Sequence, residues 1–578
     1  MKARTVALRP TAAAVVGAEV IALAAFTALP PGRAGWWPAA VITAVAVLLL
    51  VVTVHRRNAA GWLAARARWW SARRAATPTG AAVDVAQGTI VCGVRADAHE
   101  AIAMIRVTGR PDAPTFLRTS SVSHTANTLP LGVLVGLLDQ PGNLHLGIDV
   151  ISAGHRVRRG TGYPALYSTL LADRPAAGQR STRLVVRVDI PESVSGLAYR
   201  HSVGTAAAAA TERIINALFQ EGVRATALNA AELDDALTEL GAGLAAPPPA
   251  PQPAPDEQTG DEAALAPVGA SGISDASRAS GGERTRRPAR VKPQANVGWR
   301  DIDAHPGHLS SYYFSPEDIT TAALHQMWSL RTDHVVQTLA IRKHRHAQPD
   351  GGSAVLVSAL VRTDDPQRPQ QPPTLFLNPL PGDQYAAALW AAPVARPRLA
   401  LPTRVLDPDA LEIPVGSTGI LVGAALYDDL AARPPVHRDD LVMWPITDPQ
   451  RATRITMDVS EFYVRQLLIR AAATGERVAI YSHQPSRWHQ LAQPNIAVVE
   501  RRRALEFVPT VIVNDRPISA PSAGLSSTVI TLGKVDNRGP APDVTFVQTS
   551  RSTVRIIAGE QAVEVGIVVF RQEQAFTG

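Results

Sequence analysis

The sequence predicts an α/β protein: an N-terminal two-helix transmembrane hairpin, a cytosolic mixed α/β domain and a C-terminal β-rich module. Three observations carry this. Two apolar stretches sit within the first 54 residues, joined by a short connector. A helix–Gly–strand–helix unit occurs twice, at 203–240 and 460–491. From Phe507 onward the apolar runs are short, strand-like and separated by turn residues.

The hairpin comes first along the chain. Residues 11–29 hold one charge, Glu19, and 38–54 hold none. A bilayer core needs about 20 apolar residues as helix, and about 17 suffice with anchored ends. The connector 30–37 breaks the helix with Pro30, Pro31 and Gly32 and ends on Trp36 and Trp37, rings that settle at headgroup depth. Lys2, Arg4 and Arg9 precede the first span, and Arg56, Arg57, Arg66, Arg68, Arg73 and Arg74 follow the second. Cationic flanks stay cytoplasmic, which places 1–10 and everything after the hairpin on that side of the inner membrane. A cleaved signal peptide is the rival for the first span. However, Ala28-Leu29-Pro30-Pro31-Gly32-Arg33 offers no small-x-small exit, and the second run would still retain the chain. Glu19 would meet a partner helix or reach toward the headgroups. Within 55–78, Trp62, Trp69 and Trp70 alternate with arginines, the pattern of a helix lying on an anionic membrane surface.

The first part of the α/β domain covers 79–242. Strands are expected at Thr89–Arg95, Ala101–Thr108, Leu144–Ser152 and Arg183–Ile190, with a helical run at Leu129–Leu138. Val203, Ala207, Ala210, Ile214, Ala217 and Leu218 define a helix that Gly222 stops, and Asn229 caps a second over Ala230–Leu240. Residues 243–296 lose periodicity in favour of Pro, Ala, Gly and Ser, the composition of a disordered linker. The second part, 297–505, opens with a helix start at Ser315-Pro316-Glu317-Asp318. It continues with strands at Val335–Ile341, Ala354–Arg362, Leu375–Leu377, Ile420–Ala424 and Leu441–Pro445, and a helix at Glu461–Thr474 closed by Gly475. Residues 506–578 read as a separate meander or sandwich.

Composition excludes several functions. One cysteine, Cys92, rules out a disulfide framework or a thiolate cluster. The net charge of +7 is concentrated beside the hairpin, which argues against a nucleic-acid binder. No phosphate-binding loop, nucleophile elbow or His-Glu-x-x-His motif is present. His305 and His308, and His344 and His346, lack a carboxylate at ligand spacing. The nearest catalytic signal is Asp301-Ile302-Asp303, whose carboxylates would hold a divalent metal and a nucleotide sugar in a membrane-anchored glycosyltransferase. It follows the linker rather than an apolar strand, and the tripeptide arises by chance in chains of this size, so it reads as surface acid. Asp234-Asp235, Asp428-Asp429 and Asp439-Asp440 read as solvated faces, and Tyr163, Tyr167, Tyr312, Tyr313 and Trp328 as packing. No catalytic, cofactor or metal residue is assigned.

Several patches carry a family resemblance: the membrane hairpin, Tyr163-Pro164-Ala165-Leu166-Tyr167, Ser202-Val203-Gly204-Thr205-Ala206-Ala207 and Asn229-Ala230-Ala231-Glu232-Leu233-Asp234. In the second half they are Ala323–Asp333 around Trp328, Met443-Trp444-Pro445-Ile446-Thr447-Asp448 and Gly475-Glu476-Arg477-Val478. In order and spacing these resemble the EccE component of actinobacterial type VII (ESX) secretion systems. The resemblance implies a non-enzymatic, membrane-embedded structural subunit whose cytosolic domain is shaped like a glycosyltransferase without its chemistry. It implies a hetero-oligomer with EccB, EccC (the FtsK-like ATPase) and EccD, and no cofactor. The linker 243–296 and the long β tail depart from the family pattern. Beyond the glycosyltransferase, the other alternative is a tethered adaptor outside secretion.

Overall fold

The computed structural model describes residues 6–8, 12–28, 36–54, 57–74, 77–118, 122–159, 163–246, 295–304, 307–344, 354–499, 505–515, 527–534 and 540–577. Most of the linker, 247–294, lies outside the described residues, as do His305 and His346. The chain is a mixed α/β protein in which β structure predominates.

Three helices open it: α1 (Ala12–Ala28), α2 (Trp37–Val51) and α3 (Ala59–Ala72). A large antiparallel sheet follows. Its long strands lie in the order Gly307–Phe314, Ala354–Asp365, His334–His344, Leu144–His155, Gln179–Asp189, Glu100–Gly109, Ile90–Ala96 and Val83–Gln87. The join between Leu144–His155 and His334–His344 runs from Gly147 opposite Arg342 to Gly154 opposite Val335. Strands from before and after the linker therefore form one sheet, not two successive units. The alternation that sequence reading relies on explains why it is covered on both faces. Ile105, Ile148, Val150, Leu184 and Val186 face one core, and Ile102, Met104, Ile151 and Val185 face another.

Helix α4 (Val203–Gln220) lays Ala206, Ala207, Ala210, Ile214 and Leu218 on the first core. Ser202 and Thr205 close a reciprocal capping box at its start. Helix α5 (Ala230–Gly241) lays Leu233, Ala236, Leu237 and Leu240 on the second, capped by Asn229 as expected. The helix start at Ser315 is corrected: Pro316–Asp318 form only a 3-10 turn, and Thr320 caps the short helix Thr321–Gln326.

The second sheet departs further from expectation. Ile496–Val498, Val478–Ser482, Val511–Asp515, Thr528–Leu532, Thr453–Asp458 and Val544–Gln548 run parallel in that order. Thr553–Ala558, Gln561–Gly566, Ile420–Ala425 and Leu441–Trp444 continue it antiparallel, and Thr115–Leu117, from the first part of the chain, pairs with Leu441–Trp444. The strands of 506–578 are thus not a separate meander or sandwich, because Val511–Asp515 and Thr528–Leu532 are interior strands beside segments 30 to 80 residues earlier. The last strand, Gln561–Gly566, is followed by a final helical turn, Gln574–Thr577.

That last turn is held by charge inside the core. Helix α6 (Glu461–Thr474) presents Arg470, whose Nε and Nη2 donate to Glu573 at 2.8 Å, with both side chains essentially inaccessible. Tyr163 and Gln466 also donate to Glu573, and Arg470 Nη1 donates to the Leu421 carbonyl at 2.8 Å. A second buried cluster crosses the first sheet. Asp149 accepts from Arg187 and Arg396, while Arg187 also reaches Glu100 and the Val394 carbonyl. It ties the segment around 394–396 to strands laid down before the linker.

Two outcomes follow. Arg470→Met leaves Glu573 buried without its countercharge, and should cost about 3–5 kcal/mol in denaturant unfolding, whereas Arg470→Met with Glu573→Met should cost much less. Burial alone raises the Asp149 carboxyl, but Arg396, then Arg187 and Arg342, pull it down to about 2. A depressed carboxylate stabilises above its unfolded value of ~3.9 and loses that contribution as pH falls through its folded value. Wild-type stability should therefore drop between about pH 4 and about pH 2 more steeply than that of Asp149→Asn, as read by acid titration of the circular dichroism.

Candidate functional site

The hairpin closes on small residues. Ala14, Ala18 and Ala25 of α1 and Ala39 and Ala46 of α2 are buried, and Gly17 faces Leu50. Close backbone approach of this kind holds helices together where no hydrophobic force acts. The opposite faces display Val16, Val20, Leu23, Phe26, Val41, Val45 and Leu48, all exposed. Thr27 and Thr43 return their hydroxyls to carbonyls of their own helix at 2.9 Å, which spares an apolar surrounding an unpaired donor. Glu19 is exposed.

The expected spans 11–29 and 38–54 are longer than the helices. Val52–Val54 leave α2 and pair as a strand with Val6–Leu8. Among the described residues no helix is long and apolar enough to cross a membrane. The helices have 17 and 15 residues. At about 1.5 Å per residue they extend roughly 25 and 22 Å.

The hairpin is joined to the body through α3. Asn58 caps α3 by accepting from the Gly61 amide at 2.9 Å, and its Nδ2 donates to the Leu50 carbonyl at 3.0 Å, which fixes the angle between α2 and α3. Asp383, almost inaccessible, then takes Arg57 on one oxygen and Arg68 Nε, at 3.0 Å, on the other. Arg57 also donates to the Pro381 carbonyl at 2.6 Å. Trp62 and Trp69 flank Trp299 with ring centroids 6.1 and 5.6 Å away, and Trp69 Nε1 donates to the Val297 carbonyl at 3.2 Å. Ala65 is fully buried beneath them. Gly382 has φ +81°, and a Cβ there would stand 2.6 Å from the Trp299 ring, so the approach requires glycine. The expectation that this helix lies on an anionic membrane surface is therefore corrected for one of its faces. Its Trp62–Ala65–Trp69 stripe is committed to the body, because the chain supplies Trp299 and a buried carboxylate for it.

The sequence-selected acids are structural. Asp301 accepts from Arg368 at 2.6 Å and from His308 at 3.1 Å, while Asp303 is exposed on a short strand paired on both sides, opposite Asn296 and His308. Among the described residues no group of three His, Cys, Asp or Glu side chains is placed to hold a metal. Asp234 pairs with Arg95, and Asp440, nearly inaccessible, pairs with Arg118. Tyr163, Tyr167, Tyr312, Tyr313 and Trp328 are buried packing.

A polar cleft of about 590 Å³ opens where the two sheets meet. Its acids bridge rather than stand poised. Glu476 accepts from Gln179, Thr447 and Thr510, Asp448 from Arg224 at 2.7 Å, and Glu239 from Arg183 at 2.6 Å. Burial raises the Asp112 carboxyl, opposed by its partner Arg451. His334 is pushed down to about 4 by burial and by Arg362, so it is neutral near pH 7. With Thr108 and Thr226 both bonded to Gln450, these contacts fasten one sheet to the other.

Sequence reading missed Asp383, Trp299 and Arg368. A turn signal, Pro381-Gly382-Asp383, is present, but nothing local marks its acid as the partner of arginines more than 300 residues earlier.

Comparison with known proteins adds the family context. Residues 176–266 match a family model described as "Putative type VII ESX secretion system translocon, EccE". Its described part holds the strand Gln179–Asp189 and helices α4 and α5. The chain is 24% identical over 508 residues to the ESX-2 secretion system protein EccE2 of Mycobacterium tuberculosis, covering 84% of this chain and 82% of that one. It is 28% identical over 349 residues to the ESX-5 secretion system protein EccE5 of the same species, covering 57% and 72%. Against EccE5 of Mycobacterium marinum it is 26% identical over 254 residues, covering 43% and 50%.

Asp383→Asn removes the charge that two arginines share. Hydrogen bonds to charged groups are worth about 1.5–3 kcal/mol. Trypsin should then cut after Arg66, Arg68, Arg73 or Arg74 at least tenfold faster than in the wild type, with the body left intact. An unchanged rate would mean that Asp383 does not hold α3.

Proposed function

We propose that this chain, an EccE-family protein, is a membrane-embedded structural subunit of a type VII (ESX) secretion complex. The observation that carries the reading is similarity over 84% of the chain to a secretion-system protein, combined with an apolar hairpin bolted to the body. The exposed apolar faces of α1 and α2 have no cover among the described residues, and lipid or neighbouring membrane helices would supply it. Helices of about 25 and 22 Å fall short of a core of roughly 30 Å, a mismatch that local thinning and the flanking arginines and tryptophans accommodate. The arginine excess at the hairpin's open end favours a cytoplasmic body at the plasma membrane. EccB, EccC and EccD are the expected partners in a hetero-oligomer, and the chain's role there is assembly rather than catalysis. The glycosyltransferase alternative gains nothing from the site, since Asp301 is spent on Arg368 and His308.

Ala14 and Ala18 serve the hairpin's own closure, so the surface offered to neighbours is the Val16, Val20 and Leu23 face. Tagged chain purified from mildly solubilised membranes should bring down an FtsK-like ATPase and other membrane subunits, identified by mass spectrometry. Deleting 12–51 should abolish that recovery, and Ala14→Leu with Ala18→Leu, which splays the hairpin, should reduce it severalfold. Recovery of the full chain from the soluble fraction, without such partners, would contradict the proposal.

A further inference from the structure

Helix α3 has two faces, and the body covers one of them, with Arg66 reaching from the border to the Trp299 ring. Residues 62, 65, 69 and 72 form the inner stripe, buried or half-buried. Residues 63, 66, 67, 70, 73 and 74 form an exposed outer stripe. On it Leu63 is 73% and Trp70 59% exposed, a large apolar presence on a helix that already has a packed side. Arg66, Arg73 and Arg74 have no carboxylate in ion-pair distance among the described residues: Arg74 lies over the Trp70 ring at 4.2 Å, while Arg66 and Arg73, at the border with the inner stripe, lie over Trp69 at 4.5 and 5.0 Å, Arg66 also over Trp299 at 5.5 Å. Between Val52 and Pro78 the sequence has six arginines and no acid. The stripe continues directly from the apolar hairpin, since Asn58 bonds the Leu50 carbonyl and Trp62 Nε1 the Val54 carbonyl at 3.3 Å.

We propose that the outer stripe of α3, formed by Leu63, Arg66, Trp70, Arg73 and Arg74, is a binding surface for an anionic lipid leaflet, so that α3 is clamped between bilayer and body. Apolar side chains ringed by arginine match the boundary between acyl chains and anionic headgroups. An acidic protein face would match the arginines but not the adjoining Leu63 and Trp70, nor explain their continuity with the hairpin. The clamp gives the body one fixed face toward the membrane, because the inner stripe is held by Asp383 and Trp299. This inference rests on the hairpin residing in the bilayer.

The test uses the full chain with Leu63→Cys carrying an environment-sensitive nitrobenzoxadiazole dye. Cys92 is fully buried and stays unlabelled. The protein is reconstituted into nanodiscs of phosphatidylcholine alone, and of two-thirds phosphatidylcholine with one-third phosphatidylglycerol. In the anionic discs the dye emission should shift to the blue and be quenched by headgroup-level nitroxide lipid. Arg73→Gln with Arg74→Gln should remove that difference while the protein still co-elutes with discs. Co-elution with a water-like emission in both kinds of disc would overturn the lipid surface and leave the hairpin reading intact. Failure to co-elute at all would overturn both.

Discussion

Asp383 is a nearly inaccessible carboxylate, and a buried charge is tolerated only when it is matched. Its partners, Arg57 and Arg68, lie 326 and 315 residues earlier, at the exit of the hairpin. That requirement joins the two ends of the design: the body is complete only when the helix leading out of the apolar hairpin sits on it. Trp299 makes the same demand in apolar terms, since Trp62 and Trp69 shield it and Gly382 makes room for it. A hairpin attached in this way is held in orientation as well as in proximity to the body.

The same logic of long-range pairing organises the rest. The chain before the linker and the chain after it interleave in one sheet, and the Asp149, Arg187 and Arg396 cluster fastens them from within. Ala245 and Ala295, on either side of 247–294, lodge in one hydrophobic cluster, so the two flanks of that long segment start and finish at one place in the fold. The second sheet borrows Thr115–Leu117 from the first part and locks its last turn through Glu573 and Arg470. Several side chains that line the polar cleft bridge the two sheets, which accounts for a cavity rich in acids and arginines.

Much of this was legible element by element. Strands such as Glu100–Gly109 and helices α4, α5 and α6 sit within a few residues of where alternation, the 3.6-residue period, Asn229 and Gly475 put them. Partnership was not legible. The parallel order of Val511–Asp515 and Thr528–Leu532 depends on contacts with strands far upstream, and a run of short strands with turns reads alike in a meander and in a shared sheet. The acids show the same limit. Asp301 and Asp383 are ordinary residues in sequence, and what separates them from surface acids is an arginine contributed by a distant segment. Trp62, Trp69 and Trp70 suggested a membrane-surface helix because composition reveals amphipathicity but not which of two apolar stripes meets protein.

The central claim is that hairpin exit and body form one rigid unit. Hydrogen–deuterium exchange of the wild-type chain in detergent tests it directly. The account predicts that amides of 62–72 exchange as slowly as those of the central strands Leu144–His155 and His334–His344. Exchange of that helix within the time of an unpacked peptide, while those strands stay protected, would contradict it.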